Sequence, residues 1–550
     1  MRDLATRIQS VERTVNRPPR VSTTTLVIVV ILTAAAVARL WGIGFGLPHP
    51  QCRPDEEAIS AIAGGFRTGD LNPHVFNYPA LFMLVVAAVL RLLPLGEGLL
   101  HKLMPFHFHS LLDGVSVTET NYMVARLLSA AAGVASVWVI FRIGRRLFDR
   151  HAAVAAAALL SVAFLHVRDS HFGVTDVPMS FMVLIAFAAA VRLAQSGTRK
   201  DLILAGVTAG LAASTKYNGA LVALPVLFAV FVCPAPRERQ SRFVDSAVAL
   251  LLMGATFLCT SPYTLLEFGR FFADLSSDAE HLSDVHGVNL GRGWIYHATT
   301  TLRFGVGLPL LVAGVAGMAL LLWRDLRTGV LVALFPVSYY ALLGSGYTVF
   351  TRHMTPVVPF LCLTGAYFTC EISGSICARL KRPTWRPALA GIAVVGVLWP
   401  SIHSVVMFDT LIARPDSRLL ARRWIEERFP PGTAIAQTGP RVGHLYLGED
   451  RRYALVEMSS RAARPDLVVV QSSPVTAPPE LGDMGPVLKA DYSLEYSRHV
   501  APDDPRNVYD RQDEFYMPFA GFHVERPGPN LDIYVRRTLS WTPPAVVDRK

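Results

Sequence analysis

Three consecutive carboxylates, Asp55, Glu56 and Glu57, follow Pro54 shortly after the apolar run Thr24 to Phe45. Ionised carboxylates beside a bilayer are costly and are found there chiefly where something uses them. Pro54 suits a first helical position, and the recurrence of Ile59, Ile62, Ala63 and Phe66 predicts a short amphipathic helix able to lie in the interface plane. The acids then occupy the positive end of the helix dipole, which favours their ionised form. They are expected to act as bases or cation ligands rather than proton donors; helix capping alone is the plainer alternative.

A second group of polar residues stands where one apolar run ends and another begins. "HVRDSHFGVTDVP", His166 to Pro178, supplies Asp169, His171 and Asp176. Asp176, just before Val177-Pro178, could equally cap the next helix. Cations recur at the same level: Lys216 in the break "STKYNG", and Arg352 with His353 in "YTVFTRHMTPVVP". An Arg holds a phosphate bidentately and a Lys acts as a point charge; snorkelling to headgroups is the alternative for each. The His-rich stretch His101, His107 and His109 has irregular spacing and no carboxylate partner, a poor pattern for a metal. The polar loop Ser276 to Trp294 could touch a substrate. Carboxylates and phosphate-seeking cations at one membrane surface suit attack on a sugar whose leaving group is a lipid phosphate. An ionised Asp would take the proton of the acceptor hydroxyl, and a preorganised Arg or Lys would stabilise charge on the departing phosphate.

The elements that must position these groups are membrane helices. The chain has 550 residues, 52% hydrophobic but only 17% charged, with a net charge of +10. Soluble chains carry roughly a quarter charged residues, so the deficit and the repeated long apolar runs indicate a polytopic membrane protein. The positive charge does not call for nucleic acid, because most Arg clusters lie between apolar runs. The six cysteines show neither disulfide-framework nor zinc spacing. Candidate spans are approximately 24–46, 121–143, 151–167, 177–194, 201–214, 217–233, 243–262, 297–322, 329–346, 354–373 and 387–407. With a basic cytoplasmic N-terminus at 1–23, these eleven spans put five basic loops on the inner side, as the positive-inside rule requires. The run 77–95 would break that parity and is read as an interfacial or re-entrant helix within outer loop 47–120. The membrane domain is therefore 24–408, and 409–550 is expected to form a small soluble α/β domain on the outer face. There, "SRLLARRWIEERFPPGTAIAQTG" reads as helix, turn and strand, and "DLVVVQSS" and "LDIYVRR" as further strands. A transporter would place ionisable residues near the midplane and often shows repeated halves, neither of which is visible. A scaffold or sensor would have no need of Asp55.

Taken in order, "PDEEA", "NPHVFNYPALFML", "ARLLSAAAGVASVWVIFRIGRRLFDRHAAVAAAALL", "SHFGVTDVP" and "GLAASTKYNGALVALP" resemble the GT-C glycosyltransferases. The similarity is to protein O-mannosyltransferases, lipid A aminoarabinose transferases and their bacterial homologues, over about residues 24–373. It implies an inverting transferase of the bacterial plasma membrane. The donor would be a polyprenyl-phosphate sugar, the acceptor a lipid, protein or glycan hydroxyl, and the active site would face outward. The family's essential Asp, usually followed by Glu, maps onto Asp55 and Glu56, and its second outer-loop Asp onto Asp176. Aminoarabinose transferases have Lys before the Pro aligned with Pro79, where this chain has Tyr78. That departure moves the expected phosphate contact to Arg352 and Lys216, with His353 and Tyr78 beside them. Some GT-C oligosaccharyl enzymes hold a divalent ion between two outer acids, while closer relatives work without one; Asp55, Glu56 and Asp176 could do either.

Overall fold

A computed structural model describes residues 22–49, 52–103, 117–234, 239–447, 452–457, 464–476, 484–513 and 515–539. The basic N-terminus 1–23, save its last two residues, lies outside them, as do His107, His109 and the His101 side chain. The helices that matter here are α1 (Thr23–Leu40), α2 (Pro54–Thr68), α3 (Leu81–Leu103), α4 (Val117–Leu147), α5 (Arg150–Ser161) and α6 (Phe164–Ser170). They continue with α7 (Asp176–Ser196), α8 (Arg199–Thr215), α9 (Ala223–Val232), α10 (Arg239–Thr260) and α11 (Phe268–Ser283). The last are α12 (Leu308–Arg324), α13 (Leu326–Leu343), α14 (Val358–Arg379), α15 (Arg386–Ile412) and α16 (Ser417–Arg428).

All eleven expected segments are helical. Among the described residues, 7 helices are long and apolar enough to cross a membrane, or up to 9 if two bent pairs each count as one span. The bends are 54° between α5 and α6 and 116° ahead of α12. α8 and the Tyr217–Val232 helix are shorter than the about 20 residues a straight crossing requires. Small residues let the helices approach closely, the usual device where lipid is as apolar as the side chains. At Gly317 a Cβ would fall 2.0 Å from the Thr364 carbonyl oxygen of α14, so α12 tolerates no side chain there. Thr364 Oγ1 adds a 2.8 Å hydrogen bond to the Gly314 carbonyl.

In the first loop, the short helix after Pro54 folds as its pattern predicts. Pro54 is at the start of α2, the three acids fill its first turn, and Ile59, Ala63 and Phe66 are buried against Met83, Val86, Ala87 and Leu90 of α3. The apolar residues Leu81–Leu93 open α3, and there Arg91 donates to the Phe66 and Arg67 carbonyls at 2.8 and 3.0 Å, closing the C-terminal end of α2. α11 is the second amphipathic element. Phe268 and Phe272, with Leu265 and Leu266 before them, are exposed, while its acids hold the 72–80 loop: Asp274 accepts from the Phe76 N–H and Asp278 from Asn77 Nδ2.

The C-terminal part carries a five-stranded sheet in the order β2-β1-β3-β5-β4. Its strands are β1 (Ala434–Gln437), β2 (Ala454–Leu455), β3 (Leu467–Ser472), β4 (Tyr492–Arg498) and β5 (Asn530–Arg536). β1 runs parallel to β2 and β3, and β5 pairs antiparallel with β3 and β4. Ala421 and Ile425 of α16 pack on Ile435, Leu467, Val469, Leu531 and Ile533 to form its core. The strands read from sequence appear in place. The boundary is less simple than 408/409, because α15 runs on to Ile412 and the segment between β4 and β5 leaves the sheet. Phe515, Met517, Phe519 and Phe522 join the core of the helical bundle, with Phe515 edge-on to Phe172 and Phe522 edge-on to Phe164.

Candidate active site

The acids and cations Asp55, Asp176, Lys216 and Arg352 singled out in sequence gather at one end of the helices. α7 bears Asp176 in its first turn and Arg192 near its far end, and its 21 residues separate the two ends by roughly 31 Å. α8 begins at Arg199 and stops at Lys216, which is extended and breaks the helix before the 3-10 turn Tyr217–Val222. Arg352 sits in the 3-10 turn Thr351–Val357 that leads into α14, and Arg379 closes that helix. The basic loops meet at the opposite end, where Arg386 pairs with Asp149 at 3.0 Å and Arg146 reaches Gln195 at 3.3 Å.

At the site end, Asp55 and Arg352 form an ion pair, Oδ2 to Nη2 2.9 Å. They line a cavity of about 600 Å³ together with Tyr78, His281, His286 and Phe350. A second chamber of about 330 Å³ shares Tyr78, Asp278, His281, Phe350 and Arg352 with the first. It adds Lys216 and His353 and an apolar wall of Leu275, Leu282, Leu342 and Leu343. Asp176 does not face the larger cavity; its Oδ1 accepts from Lys216 Nζ at 2.7 Å. All four predicted phosphate contacts, Arg352, Lys216, His353 and Tyr78, therefore meet around the smaller chamber. His353 Nδ1 is buried without a hydrogen-bond partner. The Asp55 carboxylate, then burial, push the Tyr78 phenol above its ordinary range, so it stays a neutral hydrogen-bond donor. Burial likewise raises Asp278, against the hydrogen bond from Asn77.

Glu56, next to Asp55, points the other way. It is buried and holds Arg126 bidentately at 2.8 and 2.7 Å, while its Oε1 also accepts from the Gly173 N–H at 2.6 Å. One carboxylate thus ties α2 to α4 and to the loop that precedes Asp176. Asp169 and His171, placed by sequence in the same outer element, are fully buried. Asp169 pairs with Arg168 at 2.8 Å and accepts from Thr355 Oγ1, and His171 bonds the Val167 and Trp41 carbonyls.

Asp513 is the residue that sequence reading missed. It comes from the segment that leaves the C-terminal sheet, and three guanidinium groups converge on it. Arg53 lies at 2.7 Å, Arg168 at 3.7 Å, and Arg352 is also in contact. Burial alone would raise its carboxyl, but Arg352, Arg53 and Arg168 together hold it below the usual carboxylate range. Neighbouring residues pin the loop that carries Arg352: Asp510 accepts from the Thr351 N–H and hydroxyl, and Gln512 accepts from the Val349 N–H and donates to the Val288 and Tyr347 carbonyls. The local signal was a cluster of acid, amide and aromatic residues, "YDRQDEFYMPFAGF", with nothing beside it in the chain to show what it meets.

For a divalent ion the donor set fits poorly. Asp55 and Asp176 are each engaged by a side-chain cation, and among the described residues no group of three or more His, Cys, Asp or Glu could hold a metal.

Residues 103–265 match the family model described as dolichyl-phosphate-mannose-protein mannosyltransferase. No curated protein sequence matches the chain. Among solved structures, the Archaeoglobus fulgidus oligosaccharyltransferase in the apo form is similar at 11% identity and a TM-score of 0.54, covering 94% of this chain and 88% of that one. ArnT from Cupriavidus metallidurans bound to undecaprenyl phosphate is similar at 14% identity and a TM-score of 0.54, covering 92% and 97%. The archaeal oligosaccharyltransferase AglB from Archaeoglobus fulgidus, in complex with an inhibitory peptide and a dolichol-phosphate, gives 12% and 0.54 over 93% and 88%. The chain has the GT-C glycosyltransferase fold.

Proposed function

We propose that this chain is an inverting glycosyltransferase. It moves a sugar from a polyprenyl-phosphate donor to an acceptor hydroxyl at the extracytoplasmic face of a bacterial plasma membrane. One observation carries the reading: Asp55, an acid suited to be a base, shares a cavity with Arg352, and that cavity shares its wall with a chamber lined by Lys216 and by leucines. A lipid phosphate needs this combination of a cationic head site and an apolar wall. The solved ArnT and AglB structures, whose fold this chain shares, hold undecaprenyl phosphate and a dolichol-phosphate, which supports the donor class.

In this reading Asp55 is the base, and Arg352 and Lys216 form the phosphate site. Asp55 takes the proton of the acceptor hydroxyl as its oxygen bonds the anomeric carbon from the face opposite the phosphate. The bond from that carbon to the phosphate oxygen breaks, and the electron pair leaves on the phosphate. Arg352 and Lys216 compensate the charge that develops there, with Tyr78 as a neutral donor. Asp176 holds Lys216 in place, and Glu56 fixes the first turn of α2 so that Asp55 faces the cavity.

The test uses purified full-length protein with undecaprenyl-phosphate [14C]mannose and membranes of a strain lacking the chain as acceptor. Asp55→Asn should insert and fold like the wild type and lose about 10²–10⁴-fold in transfer, the range for a positioned general base. Near wild-type transfer by this variant would refute the assignment.

A further inference from the structure

Arg352 divides its guanidinium between two carboxylates that differ in every respect that governs exchange. The Asp513 side chain is 2% exposed and is also held by Arg53, whose only carboxylate among the described ion pairs it is. Removing it would strand a buried guanidinium, which costs several kcal/mol. The Asp55 side chain is 25% exposed, stands on the cavity wall and makes its one described ion pair with Arg352. Phe350 covers the guanidinium at 4.2 Å from ring centroid to Cζ, which further fixes its plane. One edge of Arg352 is therefore permanent and the other exchangeable.

The Asp55 carboxylate commits Oδ2 to Arg352, and this pair holds the side chain against the guanidinium instead of leaving it free to turn to an incoming hydroxyl. A phosphodiester carries the same single charge as Asp55 and fits the same guanidinium edge. We infer that the donor phosphate exchanges with Asp55 at Arg352, so that arrival of the donor itself frees the catalytic base, while Asp513 keeps Arg352 in position throughout. The inference rests on the donor assignment above. It makes binding ordered, donor before acceptor: without lipid phosphate on Arg352 the base stays occupied. After transfer Asp55 carries the acceptor's proton and no longer competes, so Arg352 holds the more highly charged product phosphate until that proton leaves.

Binding of undecaprenyl phosphate to the purified full chain tests this, in wild type, Asp55→Asn, Arg352→Gln and the double variant. Removing the competitor should tighten binding in Asp55→Asn by about tenfold, a coupling of ~1.4 kcal/mol. In the Arg352→Gln background the same change should have less than roughly threefold effect, because the competition runs through Arg352. Unchanged affinity in Asp55→Asn overturns the exchange, and so does equal tightening without Arg352, which would be plain repulsion between Asp55 and phosphate. A structure of the lipid-phosphate complex supplies the second readout should Arg352→Gln bind too weakly. Asp55 parted from Arg352 with the Asp513 contact retained is expected, and an intact Asp55–Arg352 pair overturns the inference. Wild type that does not bind the lipid at all overturns the donor assignment itself, and the exchange with it.

Discussion

Replacing Asp513 by Asn removes one negative charge from the meeting point of three arginines while leaving nearly the same volume. The losses are unequal. Arg352 keeps Asp55 at 2.9 Å and Arg168 keeps Asp169 at 2.8 Å. Arg53, fully buried, keeps a 3.3 Å bond to the residue 513 carbonyl and the ring of Phe172 at 4.8 Å, with its Nε and Nη2 unpaired. Breaking a buried ion pair costs about 3–5 kcal/mol, and two of the three arginines retain a partner, which places the expectation at the lower end. The loss should appear locally, as opening of the segment between Tyr509 and Phe519, because its remaining anchors among the described residues include little beyond the Asp510 and Gln512 hydrogen bonds, the Arg53 bond to the residue 513 carbonyl, the Phe519 N–H bond to the Val508 carbonyl and its aromatic side chains. Native-state hydrogen exchange reads this directly: about 3 kcal/mol lowers protection there on the order of a hundredfold. The α4, α7 and α14 amides should be unaffected. Protection of the segment within a factor of about three of wild type would show that its aromatic packing alone holds it, and the electrostatic account would fail.

Two further outcomes follow from the ion pairs. Glu56→Gln leaves Arg126 with the Ile43 and Phe45 carbonyls but no counter-charge, so thermal unfolding of the purified protein should show a loss of about 3–5 kcal/mol; unchanged stability with transfer abolished would instead make Glu56 a group that touches substrate. Because side-chain cations engage both Asp55 and Asp176, transfer should continue within about twofold in excess EDTA, and a larger loss restored by Mg²⁺ or Mn²⁺ would assign the phosphate to a metal in place of Arg352 and Lys216.

Much of the architecture was legible in the chain because it depends on local rules. Apolar run length marked out the helices, Pro54 and the spacing of Ile59, Ala63 and Phe66 marked α2, and alternation with turn residues marked β1, β3 and β5. Even the grouping of Asp55, Asp176, Lys216 and Arg352 at one end was readable, since each lies where an apolar run begins or ends and parity then decides its side. Partnership was not. Asp55 and Glu56 are adjacent, identical in charge and both at a helix N-terminus, yet one lines the cavity and the other is locked to Arg126, because residues on a helix point about 100° apart per step and only the neighbouring helices decide which direction is core. Asp513 lies some 160 residues from Arg352 in the chain, inside a domain whose composition reads as soluble, and no periodicity links the two. Ion pairs in a protein interior are chosen by which ends the packing of helices and the descent of a distant segment bring within 4 Å, and that choice was made only by the tertiary structure.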